Sequence, residues 1–288
     1  MGRDRQPGRL VARPCAGLER LQEMEAEGPK MKHERFDTTD RNAAIFMAPA
    51  VAKRYGNPAP FAAEAMILIR YKEMFARKRV LDLGVGAGRT TQYLAPFASD
   101  YLGIDLSPAM LALSRARYPD VLFADMDLRE IGKLQPESFN FIIGPWNILS
   151  AFSHEERVQI IRRVHNLLVP GGVFAFSAHN RDWKYAGGHP LSKPLRPRNV
   201  LDALHPMSWV NYLSRKKLRR EEVDYAILND EAHRWQGVFY YIGPDAQMRQ
   251  LESCGFEFLE ALAEDGRTLR AGEPTEANGT IHYVCRKR

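Results

Sequence analysis

The chain has 288 residues, 45% of them apolar, enough for one large domain or two small ones, and a formal net charge of +6. That mild basic excess suits an acidic ligand but does not by itself argue for nucleic acid. No apolar run approaches the ~20 residues that cross a bilayer or forms a signal-peptide core, and the three isolated cysteines, Cys15, Cys254 and Cys285, have neither metal spacing nor a paired framework, so no metal and a reducing cytoplasm are expected.

Residues 1–30 mix arginines, acids, prolines and glycines without periodicity and read as a disordered extension, with Met24 and Met31 as alternative starts. One domain over residues 31–288 should follow. A helix is expected from Thr38-Thr39-Asp40, and a second from Pro60 to Phe75, where Phe61, Ala65, Leu68 and Ile69 keep helical spacing. These leading helices span residues 38–76, with a turn at Arg54-Tyr55-Gly56-Asn57-Pro58 between them.

Arg79 to Asp105 is the most informative stretch. Val80, Leu81, Leu83 and Val85 form a short apolar strand that breaks into Gly84, Gly86 and Gly88, and Thr90 to Phe97 then reads as helix. Glycines at such a turn permit unusual backbone angles and let a ligand approach bare main chain at a helix start. A second strand, Tyr101 to Ile104, delivers Asp105 about 20 residues after the first glycine, the spacing at which an acid accepts from two ribose hydroxyls. A dinucleotide fingerprint, G-x-G-x-x-G, fails on register, because counted from Gly84 its third glycine falls on Arg89.

What stands instead is D-x-G-x-G-x-G, running from Asp82 to Gly88. In this the chain resembles the class I, Rossmann-like S-adenosylmethionine-dependent methyltransferases. The resemblance implies an α/β three-layer sandwich with a seven-stranded, mostly parallel sheet and an antiparallel last strand. It also implies S-adenosyl-L-methionine as cofactor, with Asp82 facing the amino end of the methionine part and Gly84, Gly86 and Gly88 letting the cofactor lie along the loop. In this family leading helices cover the cofactor and an aromatic there often faces it, which makes Tyr55 a pocket candidate.

Beyond Asp105, Ser107 is an N-cap and Pro108 a first helical residue, for a helix to Tyr118. The third strand, Val121-Leu122-Phe123, runs into Asp125, where the family places an acid that suits the adenine amine, with Met126 packing on the ring and Leu106 as the other apolar wall. Asp127 reads as a loop-edge charge. Phe139 to Ile143 is the fourth strand. The turn after it, Gly144-Pro145-Trp146-Asn147, lies at the strand end where open α/β sheets bind ligands. Gly144 should border the cofactor, and Trp146 and Asn147 the acceptor. Amino-methyltransferases of this fold that act on DNA or protein usually carry Asn or Asp followed by Pro-Pro-Tyr here, so Gly-Pro-Trp-Asn withdraws support from that class.

Ser153 and Glu156 form a capping box for a helix through Leu168, with Ile160, Ile161, Val164, Leu167 and Leu168 as its buried stripe. Pro170-Gly171-Gly172, a further family feature, should stop it before a fifth strand, Val173 to Ser177. From about residue 185 to 236 the pattern departs from sheet and helix. This fold commonly builds a substrate lid there, with a helix over Asn199 to Leu213 interrupted by Pro206. The basic run Arg215 to Arg220 meets Glu221-Glu222 and reads as a solvated face. Val238 to Ile242 is a strand, Pro244 to Cys254 a helix closed by Gly255, and Phe256 to Leu262 with Thr280 to Cys285 the closing hairpin.

The sequence thus implies methyl transfer to an oxygen or nitrogen of a small-molecule acceptor. His179 and His154 are the candidate proton acceptors, His179 first because it directly follows the fifth strand. Asn180, Arg181 and Tyr240 are substrate candidates. The alternatives are an RNA or tRNA methyltransferase using the basic insertion, and a non-catalytic cofactor-binding subunit. Neither the oligomeric state nor the acceptor's identity is legible.

Overall fold

A computed structural model describes residues 38–48, 51, 59–192, 200–201, 204–229 and 233–288. Tyr55 and the expected extension over residues 1–30 lie outside them. Five parallel strands make the centre: β1 (Arg79–Leu83), β2 (Asp100–Asp105), β3 (Leu122–Asp125), β4 (Phe139–Gly144) and β5 (Leu168–Asn180), ordered β3-β2-β1-β4-β5. Val80, Leu81 and Leu83 are fully buried. Burial of successive residues is what a central strand covered on both faces shows, and here Asp82 alone interrupts the apolar run.

The covering helices are α1 (Thr38–Met47), α2 (Ala62–Arg70), α3 (Lys72–Phe75), α4 (Thr91–Leu94), α5 (Pro108–Arg117), α6 (His154–Leu167), α7 (Pro206–Lys216) and α8 (Pro244–Ser253). Strand parity assigns their layers. Val173 and Ala175 of β5 share a core cluster with Ile67, Phe75 and Leu111 of α2, α3 and α5. Phe176, on the opposite parity, lies 5.9 Å from the guanidinium of Arg157 on α6. Helices therefore cover both faces.

The chain winds from β1 toward β3, then restarts beside β1 at β4 and winds the other way. Their carboxyl ends thus flank a topological switch point, the place where such sheets bind ligands.

Two further strands complete the expected seven. β10 (Thr280–Lys287) runs antiparallel to β5, and β9 (Phe256–Leu262) antiparallel to β10, hence parallel to β5. The sheet has ten strands among the described residues, not seven. The extra three are β6 (Arg220–Glu221), β7 (Tyr225–Asn229) and β8 (Val238–Ile242), an antiparallel wing. β5 outruns β4: their pairing stops at Gly144 opposite Phe176, while β5 continues to Asn180. With β10 on its other edge, the free edge at His179 and Asn180 is closed by Tyr241 and Ile242 of β8.

Local expectations shift in three places. Pro206 begins α7 rather than interrupting a helix, since the N–H it lacks would have no partner in a first turn, and His205 caps that turn by accepting from the Met207 N–H at 3.2 Å. Pro170-Gly171-Gly172 lies within β5 as a register irregularity, with Gly171 at φ +73°. The helix expected to reach Phe97 is helical only over Thr91–Leu94. The capping boxes behave as read: Ser153 accepts from the Glu156 N–H while Glu156 accepts from the Ser153 N–H.

Gly88 holds φ +79°, and a Cβ there would stand 2.6 Å from the Tyr118 ring. Gly88→Ala should therefore lower stability by about 2–3 kcal/mol, through the left-handed backbone and the forced ring shift. Urea unfolding measures this, and a loss below about 0.5 kcal/mol would contradict the packing described.

Candidate functional site

Three glycines after β1 divide their work. A Cβ on Gly84, at φ +66°, would meet Ile148 at 2.7 Å, and Gly88 is closed by Tyr118, but Gly86, at φ +55°, faces nothing nearer than a backbone oxygen at 4.0 Å. Gly86 leaves bare main chain toward a cavity, lined on this side by Gly84, Val85, Gly86, Ala87, Arg89 and Thr90. Its N–H donates to Asp105 Oδ2 at 2.8 Å, and the Ser107 N–H to Asp105 Oδ1 at 2.8 Å. Burial raises the Asp105 pKa, and the backbone donors oppose that rise.

The sheet order lays the cavity out. Asp127, Leu128 and Arg129 follow β3, Asp105, Leu106 and Ser107 end β2, Trp146, Asn147 and Ile148 follow β4, His179 ends β5, and Phe239 stands on β8. From β2 to β5 is three strand spacings, about 14 Å, a span suited to an extended ligand and a second molecule beside it. α1 covers it with Thr39, Ala43, Phe46 and Met47, one helical face. Asn42 fastens α1: its Nδ2 donates to the carbonyls of Val238 at 2.6 Å and Ala151 at 3.0 Å, and its Oδ1 accepts from the Val238 N–H.

Both cavity arginines are ion-paired. Arg89 is almost buried against Glu64, its Nη2 donating to Oε1 at 2.6 Å, and lies between the rings of Phe61 and Trp146 at 4.9 and 4.8 Å. Arg129 bonds Asp127 at 2.7 Å, Asp40 at 3.2 Å and Glu156 at 3.3 Å. Asp127 also caps the turn it starts, accepting from the Arg129 N–H.

The loop after β4 is left-handed at two non-glycine residues, Trp146 at φ +53° and Asn147 at φ +57°. The Asn147 N–H donates to Ser177 Oγ at 2.7 Å, and its Nδ2 reaches Thr280 Oγ1 at 3.1 Å and His179 Nδ1 at 3.3 Å. With Nδ2 as donor, Nδ1 accepts and the neutral imidazole carries its proton on Nε2. Asn147 Oδ1 is buried with no hydrogen-bond partner among the described residues. The His179 ring stacks on Tyr241 at 4.9 Å.

Of the residues singled out in the sequence, the structure gathers Gly84, Gly86, Asp105, Leu106, Trp146, Asn147 and His179 on the cavity. Others lie elsewhere. Asp82 is fully buried behind the loop, accepting from Tyr101 at 2.7 Å and from Thr90, with Oδ1 unpartnered among the described residues. Asp125 is exposed, Met126 is buried and Gly144 packs near Ile148, none of them on the lining. Asn180 donates to the carbonyls of Thr275 and Asn278, and Arg181 to those of Glu222 and Val223, so both brace the fold away from the cavity. Tyr240 has the opposite parity to Phe239 and faces Arg157, Gln250 and His154, whose Nδ1 it meets at 2.9 Å. His154, stacked on Tyr225 at 4.3 Å with its pKa lowered by burial, is likewise off the cavity.

Sequence reasoning missed α1's lining face, His233, Phe239 and Asp127. Only Asp127 carried a signal, the cap-like spacing to Glu130. The basic run is partly engaged, with Arg215 bonded to the Gln236 carbonyl and Arg219 to that of Gly187.

Residues 80–172 match the family profile described as a methyltransferase domain. The trans-aconitate 2-methyltransferase of Methylobacterium nodulans is 36% identical over 103 residues, covering 35% of this chain and 38% of that one. The ubiquinone biosynthesis O-methyltransferase of Acinetobacter baylyi is 32% identical over 115 residues, 38% of this chain and 47% of that one. These alignments span less than two thirds of the relatives' own length. In fold, the chain is similar to the Burkholderia thailandensis 1,6-didemethyltoxoflavin-N1-methyltransferase, with TM-score 0.56 and 14% identity over 91% of this chain and 93% of that one.

Burial raises the Asp82 pKa to about 6 from 3.8. Since the folded value lies above the unfolded one, the native state holds this proton more tightly, and the contribution to stability falls as pH rises from about 4 to 6, by about 3 kcal/mol. Urea unfolding across that range should find Asp82→Asn lacking this loss, and parallel pH profiles would contradict it. Asn180→Ala should cost about 2 kcal/mol without changing ligand affinity, measured by the same unfolding and by calorimetry.

Proposed function

We propose that the chain is a class I, S-adenosylmethionine-dependent methyltransferase, a reading supported by the match of residues 80–172 to the methyltransferase-domain profile, and that the whole protein transfers a methyl group to an oxygen or nitrogen of a small-molecule acceptor. The observation that carries this reading is the Asp105 carboxylate set beside the open main chain of Gly86 at the sheet's switch point.

The residues present fit the cofactor. Asp105 keeps lone pairs that Gly86 and Ser107 do not use, suited to ribose hydroxyls, and Leu106, Met110, Leu128 and Asp127 suit the adenine. Gly84 and Gly86 would lie along the methionine part. S-adenosylmethionine, when bound, supplies a methyl on a sulfonium that is already a good leaving group, so the protein's own task is holding the acceptor in line and excluding water.

Trp146, Asn147 and His179 border the far end of the cavity. There His179, held at Nδ1 by Asn147, meets the acceptor as an Nε2–H donor that orients it. Of the stretch from residue 185 to 236, His233 borders this end as part of a substrate lid, and α1 is the cofactor's cover, whereas α2 packs on the sheet and sends no side chain to the cavity. No helix among the described residues is long and apolar enough to cross a membrane, and the free thiols of Cys254 and Cys285 suit a cytoplasmic setting.

Calorimetry should detect S-adenosylmethionine and S-adenosylhomocysteine binding, with Asp105→Ala weakening both at least about a hundredfold. Unchanged affinity would remove the ribose assignment. Radiolabelled methyl transfer into a metabolite extract then distinguishes an enzyme from a subunit that only binds.

A further inference from the structure

The acceptor end of the cavity has a definite chemistry. Its walls are the aromatic rings of Trp146, Phe46 and Phe239 and the side chain of Ile148, and its polar groups there are Asn147, His179 and His233, whose ring meets Phe46 edge-on at 5.5 Å. The cavity's two arginines are already neutralised. Arg89 pairs with Glu64 where both side chains are almost buried, and Arg129 is shared among three carboxylates. An anionic acceptor carboxylate would have to take Arg89 from the almost buried Glu64, leaving that charge uncompensated at a cost of several kcal/mol, or compete with three carboxylates for the part-exposed Arg129. A flat neutral ring meets no such cost. It gains contact with the aromatic walls, and a hydroxyl oxygen or a bare ring nitrogen can accept from the His179 Nε2–H that Asn147 fixes.

We propose that the acceptor is a flat, uncharged aromatic or heteroaromatic molecule, methylated on a ring hydroxyl or ring nitrogen, and not a carboxylate. Trp146, Phe46 and Phe239 hold the ring, and His179, fixed by Asn147, holds its polar atom. The inference rests on the methyltransferase reading. In transfer, the acceptor oxygen or nitrogen forms a bond to the methyl carbon as the carbon–sulfur bond breaks, the electron pair stays on the sulfur, and the acceptor's proton leaves to solvent.

The test keeps the two readings separate. Calorimetry on the full chain first measures S-adenosylhomocysteine, and failure to bind it overturns the methyltransferase reading itself. To the loaded protein, 2-naphthol and 7-hydroxyquinoline are then titrated beside trans-aconitate and citrate. Saturable binding of a ring compound is expected, about tenfold or more tighter than either carboxylate, and weakened about fivefold or more by Phe46→Ala and by Phe239→Leu. Carboxylates binding as tightly as the rings, no saturable ring binding up to about 1 mM, or ring binding indifferent to both variants would each overturn the proposal.

Discussion

The carboxylate of Asp105 ties the tips of two strands together, and the rest of the site depends on it. β1 and β2 pair as far as Leu83 opposite Ile104, and the Val85 N–H adds one more rung to the Ile104 carbonyl at 2.9 Å. Asp105 then continues that ladder with a side chain, accepting from Gly86 on one strand's exit and from Ser107 on its own. Charge-assisted bonds of this kind are stronger than neutral ones, so the glycine turn is fixed by the next strand rather than by a ligand. Once it is fixed, the three glycines have set duties, two admitting neighbours and one leaving main chain bare.

A second constraint comes from the length of β5. By running past β4 it exposes an edge that must be paired or covered, and β8 takes it. The wing built on β8 consequently stands over the carboxyl ends of the central strands, which brings Phe239 onto the cavity and Tyr241 against His179. Tyr240, between them, turns to the other face and joins the buried Arg157, whose guanidinium bonds Gln247 and Gln250. The wing thus completes the site with one parity and closes the core with the other.

These relations explain what could be read from residues alone. The central strands, the glycine turn and Asp105 were legible because each is a local signal, a run of apolar residues, a spacing or a residue type demanded by a backbone angle. That Tyr240 faces away from the cavity lining was not legible because all five residues of β8 are buried, so no alternation of polar and apolar marks its faces. His154 lies one residue beyond a helix cap and near the sheet's carboxyl edge in sequence, yet its direction is set by stacking on Tyr225, a long-range contact with no sequence trace. Asn180 and Arg181 follow β5 as ligand residues would, but nearby carbonyls claim them. β7 was overlooked since Tyr225–Asn229 is a short run whose full-length partner, β8, follows a loop and whose other neighbour, β6, has only two residues.

The way α1 is attached bears on how a covered cavity can exchange its contents. Its buried Asn42 bonds Val238 and Ala151, Thr39 bonds Glu156, and Asp40 pairs with Arg129. Such bonds position the helix strictly, because each is directional, yet their net worth against water is only about 1 kcal/mol apiece, since released groups are solvated again. Apolar anchoring of the same helix would lose its free energy wholly on opening, at roughly 25 cal/mol per Å² of surface exposed. Phe46 and Met47 face the cavity, while Phe46 also packs on Phe239 of the wing and Ile45 is buried, a small apolar anchor beside the polar ones. Ligand rings that replace water against Phe46 and Met47 would therefore strengthen the hold of α1, coupling closure of the cover to occupancy of the site.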